Sequence, residues 1–167
     1  MFRGCTALTT ASALPATTLT VSCYQNMFAN CTALTTAPAL PATTLNSSCY
    51  SGMFDTCTSL TTVPELPATT LVNSCYTNMF KGCSELEYVN LYNYHDIGDD
   101  GNMFEGVKEN LVLCFGNESK AQNISNHLKT KTNNCTLLDC SENYEDNQKK
   151  IIMKEEDNQI CIAKCSL

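Results

Sequence analysis

Cysteine is the residue type in this sequence with the most scope for chemistry. The chain has 12 cysteines among 167 residues, and thiols can form disulfides, bind metals or pack as small apolar groups. Seven recur at fixed intervals in the first half of the chain: Cys5, Cys31, Cys57 and Cys83 in one series, and Cys23, Cys49 and Cys75 in another. Five more follow at irregular intervals: Cys114, Cys135, Cys140, Cys161 and Cys165. The two groups need separate interpretations.

The regularly spaced cysteines are predicted to be core residues. A free cysteine packs as a small apolar side chain, and one that recurs at the same place in every repeat of a stack faces the interior. The alternative is that these cysteines form disulfides between neighbouring repeats. Cys23 and Cys31, which lie in the same predicted helical piece, are the best-placed pair.

The five later cysteines are disulfide candidates. They lie in a small acidic region with few apolar residues, where a cross-link adds most to stability. Because five is an odd number, one of these thiols stays free, pairs with a cysteine of the repeats, or pairs beyond Leu167. We expect Cys140 to pair with Cys161 or Cys165. Zinc is the alternative, although the spacings Cys135-x4-Cys140 and Cys161-x3-Cys165 are wider than the x2 spacing usual in zinc ribbons.

No constellation in the sequence indicates an enzyme or a cofactor. His95 and His127 are the only histidines, and neither belongs to a local cysteine–histidine nucleophile motif. The acidic loop at 95–102 lacks the alternating aspartates of a calcium loop. We therefore expect no catalytic residue, no cofactor and, apart from the zinc alternative, no metal.

The charge distribution excludes one class of partner. The net charge is −7, yet residues 1–82 contain only four charged side chains, Arg3, Lys81, Asp55 and Glu65. A neutral first half and an acidic tail provide no cluster of positive charge that could bind phosphate groups, so we expect no nucleic acid partner. No stretch reaches the roughly 18 apolar residues of a membrane span. The sequence leaves open whether a membrane anchor follows Leu167.

The elements that position these residues are internal repeats. Met1, Met27, Met53 and Met79 each begin a copy of one pattern with a constant 26-residue period, and the fourth copy soon diverges. Leucines recur at the same phase in each copy, and this period is typical of a leucine-rich-repeat solenoid. Met1 occupies a repeat position and no signal peptide pattern is present. We therefore expect a fragment of a longer array, with an uncapped N-terminal end that self-associates.

Each repeat is predicted to contain a short helical piece and a short strand. The apolar positions from Cys23 to Cys31 have the spacing i, i+4, i+8 of one helix face. The threonines after Leu34 favour an extended segment. Pro38 and Pro64 are expected to interrupt its hydrogen bonding. Five ladders are predicted to point inward: Leu8/34/60/86, Leu14/40/66, Leu19/45/71, Phe2/28/54/80, and Ala11, Ala37, Val63 and Val89.

The outward face of the strands is the candidate binding face. Its first column is Thr10, Thr36, Thr62 and Tyr88, and its second is Ser12, Pro38, Pro64 and Asn90. Hydroxyls and small rings in an array fit a glycan or an extended peptide. The alternative is that the threonines only satisfy β propensity on a solvated sheet.

The predicted fold class is α/β: a solenoid of 26-residue repeats over 1–106, closed by a small cysteine-containing α/β cap over 107–167. Strands are expected at 111–115 and 135–140, with a helix between them that Ser119 caps. Strand, helix and strand in this order indicate a parallel βαβ unit.

The pattern MFxxCTxLTTxPxLPATTL with SCYxxMF, repeated through residues 1–82, resembles the BspA-type leucine-rich repeats of surface proteins in bacteria and protists. The tail segment CTLLDCSENYEDNQKKII, with CIAKC after it, resembles the region after such repeats in protist members. The resemblance implies adhesion or recognition of a protein or glycan, an extracellular location and no catalytic residues. Two alternatives are a passive structural spacer or coat element, and an intracellular thiol or zinc protein.

Overall fold

A computed structural model describes residues 1–91, 102–108, 111–115 and 136–139. The helix predicted from Ser119, nearly all of the acidic loop, and the cysteines at 135, 140, 161 and 165 lie outside these residues. Cys114 is described only through its backbone.

Successive 26-residue segments lie one above the next. The Phe2 ring stacks on Phe28 with centroids 5.6 Å apart, and Phe28 stacks on Phe54 at 5.7 Å. The column continues through Phe80 to Phe104 at 5.9 Å per step. A second aromatic column consists of Tyr24, Tyr50 and Tyr76. Identical side chains therefore meet because the repeats are in register.

Hydrogen bonds of two kinds alternate along the segments that contain the aromatic columns. Tyr24 N–H donates to the carbonyl of Cys49 in the next segment at 3.0 Å. The amide of Met27, three residues further along the chain, donates to the carbonyl of Tyr24 at 3.2 Å and so closes a turn within the same segment. This alternation covers residues 22–31 and 48–57 in full and most of residues 74–83. Every second amide ties one segment to the next, and the others close consecutive turns.

Residues 21–30 form turns rather than the predicted short helix. Ser22, Asn26 and Asn30 have φ of 55°, 53° and 61°, so one residue in four is left-handed. An α-helix requires negative φ throughout and bonds from each amide to the fourth residue before it. Turns with a four-residue repeat give the same i, i+4, i+8 spacing of apolar side chains, which explains the wrong prediction.

The extended part of each repeat is very short. Isolated parallel bridges join Thr36 to Thr62 and Thr62 to Tyr88. The ladder lengthens to a strand, β1 (Tyr88–Leu91), at the repeat where Asn90 replaces the equivalent proline. Proline supplies no amide to a ladder, and the short bridges at Pro38 and Pro64 agree with the expected interruption.

Two further strands continue this ladder, β2 (Val112–Phe115) and β3 (Thr136–Asp139). The three strands form one parallel sheet in the order β1-β2-β3, with Tyr88 opposite Val112 and Val112 opposite Thr136. β2 and β3 lie within a residue of the two strands predicted for the cap. They extend the sheet that begins in the array. Paired residues in neighbouring strands are separated by slightly fewer residues along the chain than the repeat period. The domain boundary between 106 and 107 stays a prediction.

The core runs along the axis of the stack. Most members of the predicted inward ladders are buried, as Phe54, Leu60 and Leu86 show. The side chains of Leu111 and Leu113 add to the same core beside β1. Several ladder members, mostly at the N-terminal end of the stack, retain partial exposure: Phe2, Leu8, Ala11, Leu14, Val63 and Leu71.

Candidate functional site

Threonines at the strand positions form the first candidate surface, which we name the first threonine ladder and define as Thr9, Thr10, Thr35, Thr36, Thr61 and Thr62. Backbone bonds hold it in register, because the Thr61 amide donates to the carbonyl of Thr35 at 3.1 Å. The Thr61 hydroxyl also donates to the Thr35 carbonyl, at 3.2 Å. Thr10, Thr36 and Thr62 are exposed, as the sequence predicted for this column.

The second predicted column is not uniformly exposed. Ser12 is exposed, Pro64 and Asn90 are half-buried, and Pro38 is buried. Pro38 therefore contributes little surface to a partner, and we leave it out of the proposed face.

The ladder acquires charge at its C-terminal end. Tyr88 follows Thr62 in the column and is half-buried. Glu87 occupies the position of Thr61 in the next repeat, and its carboxylate lies 3.5 Å from the ammonium group of Lys108. Since both side chains are exposed, this ion pair contributes little to stability. The neutral part of the surface is thus confined to the first three repeats.

A second threonine ladder, which the sequence analysis did not single out, lies at the return segment and consists of Thr17, Thr18, Thr43, Thr44, Thr69 and Thr70. A parallel bridge joins Thr18 to Thr44, and the Leu19 amide donates to the carbonyl of Thr44 at 2.9 Å. All six threonines are exposed, while Leu19 and Leu45 beside them are buried. The signal in the sequence was the unvaried PATTL in each repeat.

Threonine occupies most of the positions that are exposed in all three full repeats. Four repeat positions are exposed in all three copies. Three are threonine in every copy: 10/36/62, 17/43/69 and 18/44/70. The fourth is Ala13, Ala39 and Glu65. The surface that recurs unchanged is therefore made of threonine.

Five of the seven regularly spaced cysteines are core residues, and all seven have free thiols. Cys31, Cys49, Cys57, Cys75 and Cys83 are buried. Burial raises the pKa of Cys49 to about 11 and that of Cys57 to about 12, because the thiolate would lose its hydration. Such thiols are poor nucleophiles and poor metal ligands at neutral pH.

The N-terminal end of the stack exposes the same residue types that are buried elsewhere. Cys5 and Cys23 are exposed thiols. Met1, Phe2 and Val21 are exposed apolar side chains. This is the surface for which the sequence predicted self-association.

Neither a metal centre nor a membrane span is found in the described part of the chain. It contains no group of three or more Cys, His, Asp or Glu side chains that could hold a metal ion. It also contains no helix that is both long and apolar enough to cross a bilayer. The zinc hypothesis concerns cysteines outside these residues and stays a prediction.

Comparison with known proteins finds no family model that matches the chain, no similar curated protein and no similar solved structure. The chemistry of the surface therefore carries the functional argument.

Proposed function

We propose that the chain is a leucine-rich-repeat solenoid of the BspA type that acts at a cell surface, where it recognises a protein or a glycan through the first threonine ladder. The observation that carries this proposal is that the strand position of Thr10, Thr36 and Thr62 is exposed in all three full repeats and is threonine in each. A solvated face with no partner would tolerate the same variation that Ala13, Ala39 and Glu65 show.

The chemistry of the ladder favours a neutral polar partner. A threonine hydroxyl both donates and accepts hydrogen bonds, and its methyl group offers a small apolar contact. Asp55 and Glu65 are the only charged residues between Arg3 and Lys81, so a highly charged partner would find little counter-charge along the ladder. Sugars carry hydroxyls and apolar ring faces in alternation, which makes a glycan the better match of the two partner classes.

Binding of the purified chain to a glycan array and to whole cells tests the proposal. The test variant carries T10V, T36V and T62V, which keep the β-branched shape and remove three hydroxyls. The matched control carries T18V, T44V and T70V on the second ladder, at positions that are equally exposed.

We expect saturable binding that the test variant weakens at least tenfold and the control leaves unchanged. Each lost hydrogen bond costs about 0.5–1.5 kcal/mol, and tenfold in affinity corresponds to about 1.4 kcal/mol. Equal loss in both variants would place the site elsewhere. No saturable binding to any glycan, protein or cell would overturn recognition and favour a passive spacer.

A further inference from the structure

The second threonine ladder has no role in the recognition proposed for the first ladder, and its own chemistry points to a different one. Its threonines occupy the motif P-A-T-T in three consecutive repeats, at Pro15, Pro41 and Pro67. Serine replaces other residues on the surface of these repeats, for example Ser51 for Gln25, but never these threonines.

The six hydroxyls are free as well as exposed. Among the described residues, none of them makes a hydrogen bond. The first ladder differs only at Thr61, which is half-buried and whose hydroxyl already donates to a carbonyl. Exposed threonines close to a proline have the composition of O-glycosylated segments.

The backbone of the ladder is positioned independently of these side chains. The Thr43 amide donates to the carbonyl of Thr17 at 3.1 Å, and Ala42, Leu45 and Ala68 beside the threonines are buried. A substituent on a threonine oxygen would project into solvent without disturbing the core.

We propose that the second threonine ladder is a site of O-linked glycosylation. The co-reactants are a nucleotide-diphosphate sugar and a glycosyltransferase. The threonine Oγ1 attacks the anomeric carbon of the sugar, and the C–O bond to the diphosphate breaks as the new C–O bond forms. The hydroxyl proton passes to a base or to the departing diphosphate, and no atom changes its oxidation state.

The spacing of the ladder limits the number of sugars. Neighbouring coils pair at about 4.8 Å in the hydrogen-bonding direction, and the two threonines of each coil are adjacent. Pyranose rings on all six oxygens would crowd one another, so we expect fewer than six sugars per molecule.

The test uses the full chain, purified without modification and kept folded. It is incubated with uridine diphosphate N-acetylgalactosamine and a peptide O-glycosyltransferase, beside an unstructured acceptor peptide that proves the enzyme active. Intact mass counts the added sugars, and fragmentation that preserves the sugar bond maps them. One variant carries valine at all six threonines of the second ladder, and the matched control carries valine at the six threonines of the first.

We expect one to five added sugars that map to Thr17, Thr18, Thr43, Thr44, Thr69 and Thr70. The second-ladder variant loses them and the first-ladder variant keeps them. If the sixfold variant fails to fold, T43V with T44V removes only the sugar of the middle repeat. An unmodified chain, sugars mapped elsewhere, or modification only after denaturation would overturn the proposal. None of these results depends on whether the first ladder binds a partner.

Discussion

The thiol of Cys57 donates a hydrogen bond to the backbone carbonyl of Phe28, in the preceding coil, at 3.1 Å. The same oxygen accepts the amide of Cys31 at 3.0 Å, within its own turn. Cys31 and Cys83 repeat the thiol bond to Phe2 and Phe54, also at 3.1 Å. In the second, third and fourth repeats the cysteine at this position therefore fills a small buried space and satisfies the second lone pair of a carbonyl in the preceding repeat.

Replacing Cys57 by alanine should lower the free energy of unfolding by about 1–3 kcal/mol. The change removes one weak hydrogen bond and leaves a cavity at a fully buried position. Urea unfolding measures it. Cys5→Ala is the control, since Cys5 is exposed and should change stability by no more than about 0.5 kcal/mol. Equal effects at the two positions would contradict the packing role assigned to Cys57.

The buried thiols should make the fold sensitive to high pH. In the unfolded chain they ionise near the ordinary thiol pKa of 9.0, whereas burial raises the folded pKa of Cys49 to about 11. The unfolded state then binds fewer protons above pH 9, so the free energy of unfolding falls as pH rises from 9 to 11. Each such thiol contributes a slope of about −1.4 kcal/mol per pH unit. Unfolding curves at pH 8 and 10, repeated with Cys49→Ala, measure this slope, which the variant should reduce.

Gly52→Ala should destabilise the chain more than Gly4→Ala does. Both glycines are left-handed, with φ of 61° and 76°, so alanine costs roughly 1 kcal/mol of backbone strain at either position. At Gly52 the new Cβ would also meet Oδ1 of Asn26 in the preceding coil, whereas at Gly4 nothing lies within 4 Å. Thermal unfolding of the two variants separates strain from collision. Similar midpoints would show that the Asn26 side chain moves aside at little cost, and would contradict the predicted difference.

Thr56→Asn should leave stability unchanged or raise it by up to about 1 kcal/mol. Thr56 is a β-branched residue at φ 60°, where such residues are strained, and Asn30 occupies the equivalent position one coil earlier at φ 61°. The change removes a bond from the Thr56 hydroxyl to Asp55 at 2.9 Å, which offsets part of the gain. A loss above about 1 kcal/mol, measured by urea unfolding, would contradict the left-handed assignment.

The repeat period predicted much of the packing but not the local backbone. Phe54, Leu60 and Leu86 are buried as predicted, because a constant repeat length places identical side chains in columns. The path between Cys23 and Cys31 could not be predicted from side-chain spacing alone, since a helix and a series of four-residue turns bury the same positions over so short a stretch. The residues that distinguish them are Asn26, Asn30 and Gly52, types that accept positive φ.

The candidate surface was predicted only in part. Exposure of Thr10, Thr36 and Thr62 followed from the alternation of side chains next to the inward ladder of Ala11, Ala37 and Val63. Burial of Pro38 did not, because an isolated bridge does not maintain strict alternation beyond one or two residues. The second threonine ladder was missed because the leucine phase alone marks PATTL as a connection rather than a surface.

The stacking of coils in register is the central claim, and scalar couplings across hydrogen bonds test it most directly. In chain labelled with nitrogen-15 and carbon-13, we predict couplings from the amide nitrogen of Phe28 to the carbonyl carbon of Met53, and from Tyr50 to Cys75, each between one coil and the next. Couplings instead from amides in 21–31 to carbonyls four residues earlier would show a helix in each repeat and contradict the stacked-turn structure.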